Sequence, residues 1–186
     1  MDFMLSEGRK PSMPELKSPE DLFHWMQSHL EYGWVGRDRK KRVGRLNTEK
    51  DKSDFFLNYA LQSPCALHLS RVGVCWDQVE YERYFFRKMG IQFKTIFMVQ
   101  PNSASHTFLY YQGEKGFYIF ENSYERYAGI FGPFENEKEI IEAVGDHLNL
   151  DSGERSFEWK YYDKPHFDIG CKDFYEFVGF GKYMNE

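Results

Sequence analysis

The chain has 186 residues, 41% of them hydrophobic, and its 18 Phe, 13 Tyr and 4 Trp exclude a disordered tail protein. About 150 residues per domain makes a single domain the expectation, large enough to fold without a disulfide or metal staple. The net charge of −5 supplies no global basic field for nucleic acid, no apolar run approaches the roughly 18 residues of a membrane span, and the N-terminal MDFMLSEGRKPSMPEL lacks the basic-then-apolar pattern of a secretion signal.

Residues 1–17, with Pro11 and Pro14, read as a loose arm, and 18–186 as one domain. Ser18-Pro19-Glu20-Asp21 is a helix start, with Leu22, Trp25, Met26 and Leu30 on one face and a stop expected before Gly33. Arg37 to Lys52 holds eight basic and three acidic residues and reads as a solvated loop outside the functional site. A second helix is expected from about Ser53 to Leu61, ending before Pro64. Trp76 to Met89 contains no Pro or Gly, spreads its apolar residues around the circumference, and stops at Gly90, so it reads as a helix packed on several sides.

Residues 91–99 read as a strand. After the loop QPNSAS, the runs HTFLYYQ and FYIFEN flank Gly113-Glu114-Lys115-Gly116 and form a hairpin. Asn136 and Glu139 resemble a capping box opening a helix to about Leu148, with Ile140, Ile141, Val144 and Leu148 on one face. Residues 156–162 alternate as a strand and 172–178 as a short helix. The sum is an α+β fold around a mainly antiparallel sheet.

Three cysteines, Cys65, Cys75 and Cys171, are an odd number without a secretion signal, so free thiols in a reducing, cytoplasmic setting are expected. Cys75 falls at the first turn of a helix, where unpaired N–H groups and the helix dipole favour a thiolate, and Gly73 would let a substrate approach the backbone. A thiolate nucleophile needs a base. Of the histidines at 24, 29, 68, 106, 147 and 166, only His106 opens the strand that follows the Cys75 helix and its next strand. With Glu114-Lys115 as the hairpin tip, paired residue numbers sum to 229, which makes Glu121 a diagonal neighbour of His106 and turns Asn122 to the opposite face. A carboxylate there would hold the imidazole tautomer and stabilise the imidazolium; a bulge would make Asn122 the candidate instead.

Gly73-Val74-Cys75-Trp76-Asp77 resembles the Gly-x-Cys-x-Asp signature of the transglutaminase-like superfamily, within the papain-like fold. The resemblance covers roughly residues 20–125, is strongest over 71–123, and is closest to small bacterial members of unassigned activity. It implies a Cys75–His106–Glu121 triad, with Glu121 where the family usually has Asp, and an additional oxyanion donor upstream, for which Trp34, Gln62 and Arg71 are candidates. Arg71, four residues before Cys75, is also similar to a feature of arylamine N-acetyltransferases. Trp76, Asp77 and Asn122 are candidates to line the cleft. The implied chemistry is acyl transfer on a protein or peptide amide, by hydrolysis, deamidation or transamidation, with no cofactor. The alternatives are a catalytically inert module of the same fold and, more weakly, anion binding through Arg37–Lys52. Cys65, His68, Cys75 and His106 could be assembled into a zinc set, but they lack a second matched pair, so no metal is expected. Nucleic-acid stacking and a membrane partner are unsupported.

Overall fold

The computed structural model describes residues 12–100, 105–152 and 157–184. Most of the expected N-terminal arm lies outside them; residues 12–17 carry no helix or strand, and Met13 and Leu16 pack half-buried against the core.

Helix α1 (Pro19–His29) begins as the sequence dictates: Ser18 Oγ accepts the Asp21 N–H at 3.1 Å, and Leu22 and Met26 are buried. It ends before Leu30 because the β-forming run Tyr32-Gly33-Trp34-Val35 becomes strand β1 (Glu31–Val35). Strand β2 (Lys41–Val43) pairs with it antiparallel, inside the segment expected to be a solvated loop. Arg42 anchors that segment, its guanidinium 4.3 Å above the Trp34 ring and ion-paired to Asp38 and Asp54. Helix α2 (Glu49–Asn58) starts four residues earlier than expected, because Thr48 and Asp51 form a reciprocal capping box. Helix α3 (Pro64–Ser70) was not expected, although Ser63-Pro64 repeats the signal of α1, with Ser63 Oγ accepting the Ala66 N–H. The two-residue strand β3 (Val72–Gly73) lies parallel to β1, with Tyr32 opposite Gly73.

Helix α4 (Cys75–Met89) follows at once and ends on Gly90, whose φ of 71° suits a residue without a Cβ. The second sheet comprises β4 (Phe93–Val99), β5 (Ser105–Gly113), β6 (Gly116–Glu121), β7 (Gly129–Phe134) and β8 (Glu158–Tyr161), antiparallel in the order β7-β6-β5-β4-β8. The hairpin register follows the expected rule from Gly113↔Gly116 to Leu109↔Phe120. β7 was not expected, its pattern being interrupted by Gly132 and Pro133. Helix α5 (Glu137–Ser152) opens on Asn136, whose Oδ1 accepts the Glu139 N–H at 3.1 Å, and α6 (Cys171–Phe177) lies near the C-terminus.

α4 is buried on several sides. Trp76 and Val79 pack with Phe97, Phe174 and Phe180, whereas Tyr81, Phe85 and Phe86 pack with Leu22, Met26, Leu109 and Phe120. The architecture is α+β, with a mixed three-stranded sheet and an antiparallel five-stranded one. Among the described residues no helix is long and apolar enough to cross a membrane.

Candidate active site around Cys75

The turn into α4 is held from beneath by Asp77, which is fully buried. Its Oδ2 accepts the Val74 N–H at 3.1 Å, and its Oδ1 accepts the Gln62 N–H at 2.8 Å and the Tyr59 hydroxyl at 2.9 Å. Burial pushes Asp77 up to about 7 against the pull of those three donors. Asp77 is therefore a buttress of the cysteine turn and does not line the cleft. Gly73 belongs to the same buttress: a Cβ there would stand 2.7 Å from Leu67 Cδ1 and 2.9 Å from Asp77 Cβ. Its small size serves packing beneath the turn, which corrects the expectation of substrate approach.

Cys75, the first residue of α4, is 5% exposed. His106, the second residue of β5, is equally buried and lies close enough to Cys75 for the thiol to raise its basicity. Its Nε2 lies 2.6 Å from Glu121 Oε2, at the end of β6, which leaves Nδ1 for the sulfur. Glu121 Oε1 accepts three further bonds: the Ser123 N–H at 2.8 Å, the Ser123 hydroxyl at 2.9 Å and the Tyr124 N–H at 2.9 Å. The extra methylene of a glutamate lets the carboxylate fold back onto its own turn while the other oxygen reaches the imidazole. Burial alone would lower the basicity of His106; the Glu121 charge and hydrogen bond, together with the neighbouring Cys75, override it and raise His106 to about 10. Burial likewise opposes ionisation of Glu121, yet the His106 charge and the Ser123 and Tyr124 donors hold it below the usual carboxylate range.

Asn122 points away from this group. It donates to Gln78 Oε1 at 2.6 Å and accepts from Gln27 Nε2 at 2.9 Å, tying β6 to α4 and α1 instead of lining the cleft. Trp76 does line the cleft, but most of its ring is core, stacked 4.3 Å from Phe174.

The cleft that reaches Cys75 encloses about 390 Å³ and is walled by Tyr32, Arg45, Lys52, Phe55, Trp76, Ser105, Cys171 and Tyr175, among others. Arg45 and Lys52 come from the basic segment expected to lie outside the site; its folding as β2 and the first turn of α2 carries them there. His106 and Glu121 border a separate cavity of about 230 Å³, lined largely by Ile119, Phe131, Phe134 and Val144.

None of the three sequence candidates for an oxyanion donor is part of the cleft wall. Trp34 is 3% exposed, edge-on to Phe55 and covered by Arg42. Gln62 spends its side chain on the Val72 carbonyl and the Ser70 hydroxyl. Arg71 stacks 4.6 Å above Trp25, near His68. Sequence reasoning missed Tyr32, because the helix was extended across it; the β-forming character of Tyr-Gly-Trp-Val was the available signal.

All three cysteines are free, with Cys65 half-buried on α3 and Cys171 buried, its thiol pushed up to about 12 by burial. His68 Nδ1 pairs with the Tyr81 hydroxyl at 3.0 Å. Among the described residues no group of three or more His, Cys, Asp or Glu side chains could hold a metal ion. The chain matches no protein-family model and no curated protein.

Proposed function

We propose that this protein is a cysteine-nucleophile acyl-transfer enzyme of transglutaminase-like, papain-like architecture, acting on an amide carbonyl. The observation that carries the reading is the position of His106, bonded to Glu121 at 2.6 Å and with its basicity raised by Cys75 at the first turn of α4. The Cys75 proton passes to His106 and the sulfur attacks the carbonyl. The tetrahedral adduct collapses as His106 protonates the departing amine, leaving a thioester on Cys75. Water or an amine then attacks the thioester with His106 as base, regenerating the thiol. Glu121 keeps the imidazole oriented and stabilises its charged form.

The test is iodoacetamide labelling of the native protein at pH 6, mapped by mass spectrometry. Cys75 is expected to be alkylated at least ~10-fold faster than Cys65, although Cys65 is the more accessible thiol. Labelling in order of exposure, with Cys65 first, would refute the nucleophile role.

A further inference from the structure

We propose that the Tyr32 hydroxyl is the side-chain donor to the oxyanion formed when Cys75 attacks its substrate. The proposal rests on the acyl-transfer reading and assigns the part of the site that the triad leaves open: negative charge on the carbonyl oxygen needs fixed donors. One comes from the helix itself, because the first N–H groups of α4 have no intrahelical acceptor and the ladder begins with Gln78 N–H to the Val74 carbonyl. A second donor must project from outside α4 into the same cleft.

Tyr32 fits that position. Its backbone is paired with Gly73, two residues before Cys75, so β1 and β3 fix it beside the nucleophile turn. Its side chain forms the cleft wall together with Cys75. Gly44 N–H bonds to the Tyr32 carbonyl at 2.8 Å, and the Arg45 guanidinium lies 5.1 Å from the ring centroid, so backbone and ring are held from both sides. Among the described residues the Tyr32 hydroxyl makes no hydrogen bond. Burial, with the charges of Cys75, Glu121 and Asp77, raises the phenol far above its ordinary value although Arg45 pulls the other way, so it remains a donor at every working pH. Trp34, two positions along the same strand face, is covered by Arg42 and Phe55 and cannot serve.

Two reactions of one sulfur separate this role from support of the nucleophile. Iodoacetamide alkylates by displacement at a saturated carbon, and no oxyanion forms. With 4-nitrophenyl acetate, the Cys75 sulfur bonds to the acetyl carbon, the proton leaves through His106, 4-nitrophenolate departs, and water later hydrolyses the thioester. Tyr32→Phe is expected to slow Cys75 acetylation about 10²-fold while changing its alkylation rate less than about 2-fold, with the melting temperature checking the fold. Equal acetylation in both proteins overturns the assignment, and so does a parallel loss of both reactions, which would make Tyr32 a support for the thiolate. Failure of wild-type Cys75 to be acetylated faster than Cys65 overturns the acyl-transfer reading and this inference with it.

Discussion

Glu121 does two jobs with two oxygens, and that division decides what its amide analogue would do. In Glu121→Gln the carbonyl oxygen is retained by the Ser123 and Tyr124 donors, so the new NH₂ faces His106 Nε2. The imidazole must then accept at Nε2 and carry its proton on Nδ1, toward Cys75, which is the wrong tautomer for a base. Acetylation of Cys75 is expected to fall by up to about 10⁴-fold, with a stability loss of about 1–3 kcal/mol, read from initial rates and urea melts. Asn122→Ala should show the opposite split. It removes bonds to Gln78 and Gln27 and costs about 1–3 kcal/mol, yet leaves the Cys75 acetylation rate nearly unchanged. An Asn122 variant that melts normally but loses acetylation would hand the orienting role to the amide.

At the level of elements, the site depends on a buttress that carries no chemistry. Gly73→Ala would drive a methyl into Leu67 and Asp77 and tilt the first turn of α4. A loss of about 1–3 kcal/mol is expected, together with slower Cys75 alkylation, whereas Ser18→Ala at the α1 cap, outside the cleft wall, should cost about 1 kcal/mol and leave that rate alone. Elements whose hydrophobic pattern and end signals agreed were legible in the sequence: α1, α4, the β5–β6 hairpin with its register, and α5 with its Asn136 cap. Local pattern failed where tertiary pairing decided the outcome. β1 pairs in parallel with β3 across a crossover, β2 is only three residues long, and Gly132 and Pro133 hide β7. The proximity of His106 and Glu121 was legible because a two-residue turn fixes the register. The cleft wall was not, since Tyr32, Arg45 and Cys171 come from segments far apart in the chain.

Across the whole molecule, buried ionisable groups set how stability follows pH. Asp77 and Glu80 are both raised to about 7 by burial, Glu80 despite Arg83 at 3.3 Å. Between about pH 4 and 7 the folded protein therefore holds protons that the unfolded chain has released, and stability falls as pH rises through that window. His106, raised from 6.5 to about 10, continues the decline through its own window. Glu121, lowered, makes the opposite contribution, lost as pH falls through its folded value. Thermal melts are expected to peak near about pH 5 and decline toward pH 9; a plateau or rise from pH 5 to 8 would contradict the burial assigned to these groups. The assembled site is tested most directly by the pH profile of Cys75 alkylation from pH 5 to 9, in wild type and in Glu121→Gln. Cys75 in the wild type should be alkylated faster than Cys65 at pH 6, and Glu121→Gln should slow Cys75 there by about 10-fold or more. Superimposable profiles for the two proteins, or a wild-type Cys75 that tracks Cys65, would contradict a nucleophile poised by His106 and Glu121.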